Sequence, residues 1–211
     1  MARSRARTGE RGAGDATKER IVDAALETIK REGIVGASAR AIARTGGFNQ
    51  ALIFYHFGGV DEVLLAAVDK VGATRMASYS QRIAAARTLP ELIAVGAELY
   101  AEDLRDGHIT VLSQTLAGFT SSADLSRKLL ERFRPWIDLT SQAIRRVTAG
   151  TPFEDAFPVE DLAFAITSLF VGIELLTHLD GPERGQEVFR TIGLLATALS
   201  ASLNIQPEGS R

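Results

Sequence analysis

From Thr17 onward, apolar residues recur at helical spacing and nowhere alternate as they would along a strand. Ile21, Ala24, Ala25 and Ile29, with Leu26 beside them, fall close to i, i+3, i+4, i+8 and place one apolar stripe on a first helix. Thr17 is positioned to cap that helix, and Gly33 to stop it after Lys30 and Arg31, whose charges suit a helix C-terminus. Ser38 then caps a second helix, with Ala39, Ile42 and Ala43 inward and Arg40 and Arg44 outward. Gly46-Gly47 makes a turn, Asn49 caps a third helix, and Gly58-Gly59 ends it before Asp61-Glu62 open a long fourth. Further helices are expected at about 90–105, 108–118, 123–149, 159–179 and 183–204, after a fourth at about 60–86. Their separators (Pro90, Asp106-Gly107, Thr120-Ser121-Ser122, Gly150-Thr151-Pro152 and Asp180-Gly181-Pro182) carry residues that cap or break helices. The pattern predicts an all-α chain of about nine helices: a disordered basic tail over 1–16, a three-helix head over 17–60, a helical body over 61–204 and a flexible tail over 205–211.

Composition narrows this picture. With 211 residues, 45% of them hydrophobic and 24% charged, the chain can bury a core as a globular protein does. It has no cysteine, which excludes disulfides, thiolate metal sites and a cysteine nucleophile, and fits a reducing cytoplasm. The basic start, Met1 to Arg7, is followed by Thr8-Gly9-Glu10-Arg11 rather than an apolar stretch, so no export signal is expected. The most apolar run, Leu162 to Ile173, is too short to span a bilayer and suits a buried helix. No membrane association is expected.

Charge is unevenly placed. Residues 1–60 hold ten Lys/Arg against six Asp/Glu, whereas residues 61–211 hold fourteen against twenty. A basic head on an acidic body is what a nucleic-acid reader with a separate non-DNA domain would show. Four of the head's arginines (Arg3, Arg5, Arg7 and Arg11) belong to its tail.

The order of elements in the head is that of a helix-turn-helix, which offers its last helix to the DNA major groove. Ile42, Phe48, Ile53 and Phe57 can lock the second helix against the third, and Gln50 stands at the front of the third, where an amide can pair with adenine. Arg40 can reach phosphate or guanine, and Tyr55 and His56 lie farther back, at a height suited to phosphate oxygens. The motifs Ile21-Val22-Asp23-Ala24-Ala25, Gly33, Ser38-Ala39-Arg40-Ala41-Ile42-Ala43, Gly47-Phe48-Asn49, Ile53-Phe54-Tyr55-His56-Phe57 and Asp61-Glu62-Val63-Leu64 agree in residue and spacing with one family at once. Over residues 17–70 the chain resembles the DNA-binding domain of the TetR family of bacterial regulators. The resemblance implies DNA contacts from Arg40, Asn49, Gln50, Ala51, Phe54, Tyr55 and His56. Two positions depart from the family pattern. Phe54 stands where the family usually has a tyrosine, and Gly58-Gly59-Val60-Asp61 runs where a lysine usually precedes the fourth helix. Both changes remove a phosphate contact, and a missing cation flattens the salt dependence of binding by about 0.9 in the log–log slope. Backbone N–H groups of Val60, Asp61 and Glu62 can still cap a phosphate.

The resemblance also implies that 61–204 binds a ligand and dimerises, through helices 159–179 and 183–204. Val188, Ile192, Leu195, Leu199 and Leu203, interleaved with Gly193, Ala196 and Ala198, suit either a core or a dimer seam. Tyr100, Leu104, Leu112, Leu116, Phe119, Phe133, Trp136, Ile137, Phe170 and Glu174 are candidates for lining a pocket for a small apolar or amphipathic ligand, although each also suits an ordinary core. Trp136 follows Pro135, where a kink can open space. Glu174, a lone charge on an apolar helix, either pairs with an arginine, faces a second copy or anchors a ligand.

No cofactor or metal is expected: the three histidines, His56, His108 and His178, have no metal-binding spacing. No catalytic residue is expected either, since there is no nucleophile elbow, Gly-rich phosphate loop or standing carboxylate pair. The reading is a homodimeric, cytoplasmic repressor released from a palindromic double-stranded DNA operator by a small molecule. A helical adaptor that only dimerises, or a regulator without an inducer, is the alternative.

Overall fold

In a computed structural model, residues 2–119, 123–154 and 156–204 are described. They form nine helices and no strand: α1 (Ala2–Gly36), α2 (Ala39–Gly46), α3 (Ala51–Phe57), α4 (Val60–Ala85), α5 (Leu89–Asp106), α6 (His108–Phe119), α7 (Ala123–Thr148), α8 (Val159–Asp180) and α9 (Pro182–Asn204). From α4 onward the expected boundaries hold to within a residue or so; Gly107, Gly150 and Gly181 take positive φ at three of the separators, and Pro90 removes a helical donor at the start of α5. The expected C-terminal tail, 205–211, lies outside the described residues. No single helix among the described residues is long and apolar enough to cross a membrane.

Three local expectations shift. Helix α1 begins at Ala2, so Thr17 lies inside it rather than at its cap; the stretch read as a tail has no proline and is rich in the helix-forming Ala and Arg. Helix α3 begins at Ala51, yet Asn49 still serves its start: its side-chain oxygen accepts from the Ala51 N–H at 2.9 Å, while its carbonyl accepts from Leu52 at 3.0 Å. On α2, Ala41 is buried and Ala39 only half-buried, a rotation of part of a turn about the expected inner face.

The described chain divides into two compact units. The first comprises residues up to Ala73 with Thr110–Glu131. Its core is the α1 stripe, where Ile21, Ala25 and Ile29 are wholly buried, as are Ile42 of α2 and Ile53 of α3. Gly33 (φ 73°) breaks α1 as expected, and the following Ile34 N–H donates to the Gln114 side chain of α6 at 3.3 Å. A second tie joins α1 to α2: the buried Thr28 hydroxyl donates to the Ala24 carbonyl at 2.7 Å and accepts from Thr45, 3.0 Å away.

The second unit comprises Thr74–Ile109 and residues from Arg132 on. Here α5 and α8 pack on α9. Tyr100, Ile109, Ile173 and Phe189 form a buried cluster with Leu104, Phe170, Val188 and Ile192 around it. The Tyr100 hydroxyl donates to Thr177 Oγ1 at 2.8 Å, so its one polar atom is satisfied inside the core.

Candidate nucleic-acid interface

Helix α2 is short, and its ends are fixed by side chain and backbone rather than by length. Ser38 Oγ accepts from the Ala41 N–H at 3.2 Å, and Gly47, in the left-handed region (φ 64°), closes it by donating its N–H to the Ala43 carbonyl. The turn is tight because Gly46 has no side chain: a Cβ there would meet the Phe48 ring at 2.2 Å. Phe48 is also held by Arg20 of α1, whose guanidinium lies 5.4 Å from the ring centroid. Periodicity gave no sign of that contact.

Arg40 and Arg44, one turn apart on α2, both point outward. They differ in what holds them. Arg44 is engaged by Glu32 at 2.9 and 3.1 Å, with Arg31 on the same carboxylate at 2.8 Å. Those two arginines hold the Glu32 carboxyl below its ordinary value. Arg40 forms no ion pair with any described residue. It lines a surface depression of about 680 Å³ with Ala43, Arg44, Gly47, Phe48, Asn49 and Gln50. Three of the seven expected DNA-contacting residues, Arg40, Asn49 and Gln50, therefore meet in one concavity beside an available cation.

Helix α3 carries the remaining four. Ile53 faces inward and is wholly buried, which turns Ala51, Phe54 and Tyr55 outward; Phe54 is 53% and Tyr55 81% exposed. His56 is half-buried, its ring edge-on to Tyr55 with centroids 4.9 Å apart. Gly58 (φ 81°) ends the helix by donating its N–H to the Phe54 carbonyl.

The ligand-lining candidates do not share one surroundings. Leu112, Leu116 and Phe119 belong to the first unit. In the second, Tyr100, Leu104 and Phe170 belong to the hydrophobic cluster around Phe189, and Ile137 packs against Ile144, Val159 and Ala163. Phe133 is half-buried on α7. Trp136 and Glu174 belong to a cluster of another kind. Arg75 of α4 donates to Asp103 of α5 and, at 3.0 Å, to Glu174 of α8. Tyr79 donates to Asp103, the Nδ1 of His108 lies 2.9 Å from the same carboxylate, and the guanidinium of Arg75 sits 5.3 Å from the Trp136 ring centroid.

Burial acts on both acids but prevails on one. It pushes the Glu174 carboxyl up to about 8, although Arg75 pulls the other way and the Asp103 charge adds to the rise. Burial also opposes ionisation of Asp103, but the bond to His108 and the charge of Arg75 outweigh it and hold that carboxyl below its ordinary value. Asp103 thus carries the negative charge opposite Arg75 while Glu174 keeps its proton. Glu174 Oε2 and Arg75 Nε, both buried, have no hydrogen-bond partner among the described residues. Of the three roles open to Glu174, the structure places it on an arginine.

The geometry of the head has counterparts. Residues 21–67 match the model for bacterial regulatory proteins of the tetR family. Over that segment the chain is similar to the DNA-binding head of TetR-family regulators. The HTH-type transcriptional regulators TtgW (uncharacterised) and SrpR, both of Pseudomonas putida, are each 40% identical to it over 52 residues, 25% of this chain. The matched segment spans 39% of TtgW and 24% of SrpR, so the chain covers less than half the length of these curated relatives. Solved structures are similar beyond that segment. The regulatory protein TetR from Rhodobacter sphaeroides superposes with a TM-score of 0.68 at 16% identity, over 83% of this chain and 96% of that one. SmeT in complex with triclosan superposes with a TM-score of 0.66 at 22% identity, over 89% and 90%. Likeness at such identities shows the all-α fold.

Proposed function

We propose that this chain is a DNA-binding transcriptional regulator, working as a cytoplasmic homodimer that a small molecule releases from a palindromic operator. The observation that carries the reading is the concavity where Arg40, Asn49 and Gln50 meet, on a TetR-family head whose third helix turns Tyr55 to solvent. An arginine without an acidic partner among the described residues, beside an amide at a helix start, suits a phosphate next to a base edge. The test is binding of the full chain to duplexes enriched from a random-sequence DNA library, measured across salt concentrations. Affinity that falls steeply with salt and differs between sequences is expected; no salt-dependent binding to any duplex would remove the reading.

Two further features support the dimer and the ligand. Ile166, Leu169 and Leu176 of α8 and Leu194, Leu195 and Leu199 of α9 are between 41% and 68% exposed, an apolar surface that a second copy would cover. The buried Arg75 Nε–H and the protonated Glu174 carboxyl, beside Trp136, offer donors to a polar group of an amphipathic ligand with an aromatic part. SmeT, of similar fold, is known in complex with triclosan. Helix α4 contributes residues to both units, and a ligand that favours one arrangement of the dimer would alter the spacing of its two heads through that helix.

A further inference from the structure

We propose that Phe54, with Ala51 beside it, selects thymine in the operator by packing against its C5 methyl group. The inference rests on the DNA-binding reading above and names what the outward face of α3 recognises. Ala51, Phe54 and Tyr55 stand at i, i+3 and i+4, so the burial of Ile53 turns all three the same way. Of these only Tyr55 bears a polar side-chain atom.

The Phe54 ring has no donor or acceptor for a phosphate oxygen or a base edge. Set against the polar edge of guanine, cytosine or adenine, it would strip water from those groups and return no hydrogen bond. In the major groove, the thymine methyl is the one apolar feature that a base presents. A ring that is 53% exposed on that face therefore gains by covering a methyl and loses by covering anything else. Ala51, one turn earlier and also exposed, extends the apolar strip towards Gln50, which supplies the hydrogen-bonding contact at the helix start. Arg40 supplies the charge that holds the helix to the backbone. Tyr55, 81% exposed with its ring edge-on to His56, keeps its hydroxyl for phosphate.

The test uses the full chain and the duplexes it selects from a random library. Each thymine of the selected sequence is replaced singly by deoxyuridine, which removes only the methyl. At one thymine or more, the wild-type chain should lose about fourfold in affinity, the transfer free energy of one methyl group. Phe54→Ala should bind the two versions of that duplex equally, while Phe54→Leu, which keeps an apolar group, should retain part of the discrimination. Phe54 is half exposed, so both variants should melt within a few degrees of wild type, and Phe54→Leu guards against misfolding of the alanine variant. Selected duplexes that tolerate deoxyuridine everywhere, or an undiminished deoxyuridine penalty in Phe54→Ala, would overturn the proposal while leaving DNA binding intact. Failure to bind any duplex would instead overturn the DNA-binding reading itself.

Discussion

Arg75 places one positive charge between two buried carboxyl groups, and the arithmetic of that cluster decides how it responds to change. Replacing Arg75 by alanine leaves Asp103 and Glu174 buried without their cation, and should cost about 3–5 kcal/mol of stability, read from urea unfolding. Glu174→Gln should cost far less at neutral pH, since the carboxyl it replaces already holds a proton. The same asymmetry fixes the pH dependence. Between the ordinary carboxyl value of 4.5 and about 8, the folded chain keeps a proton on Glu174 that the unfolded chain has released. Raising pH across that interval therefore removes stability that is fully present below it. Asp103 has the opposite sign: its contribution is lost as pH falls below the ordinary 3.8. Melting temperatures from pH 5 to 9 should fall for the wild type and flatten in Glu174→Gln. At the DNA face, Gln50→Ala should relax preference at one base position, whereas Arg40→Ala should weaken all sites evenly and reduce the salt slope by roughly one unit, both visible in titrations at several salt concentrations. Glu174 was conspicuous in the sequence as a lone charge on an apolar helix. Its partner was not, because Arg75 lies 99 positions away and nothing local marks the pair.

Elements were legible where local chemistry fixes them. Ser38 caps α2 and Gly47 ends it, both as the sequence implied, because capping needs only an oxygen at a helix start and a left-handed residue at its end. Ser38→Ala should accordingly cost about 1 kcal/mol. Gly46 was legible as a turn residue but not as a packing one. Its substitution by alanine would drive a Cβ into the Phe48 ring that Arg20 also contacts, so the cost should be about 1–3 kcal/mol, larger than that of the Ser38 change and measurable in the same denaturant series. The start of α1 escaped the reading because hydrophobic periodicity locates helices that bury a face, and residues 2–16 contain no apolar stripe to report. Likewise the inner face of α2 could be placed only approximately: in eight residues mostly Ala and Arg, few side chains are large enough to say which way they point.

For the whole molecule, sequence pattern gave the all-α class and helix order, while the membership of each unit depends on contacts between distant segments. The residues Thr110–Glu131 join the head's unit although they follow α5 in the chain, and no composition shift announces it. The apolar surface of α8 and α9 was foreseen only as core or seam. Exposure of Leu194 and Leu195, at 68% and 66%, is consistent with the proposed seam. Leu195→Glu should leave a folded chain that sediments as a monomer and has lost most of its operator affinity, since each half-site would then be held by one head.

In the proposed dimer, those exposed leucines would tie function to copy number. A surface that is satisfied only by a second copy makes the competent species a second-order quantity. Its abundance grows with the square of chain concentration when chains are scarce, and linearly once nearly all are paired. Apparent melting temperature should rise on concentrating the protein, and halving its synthesis should more than halve operator occupancy in the scarce regime. A strip of leucine on two helices would thus act as a threshold in gene dosage.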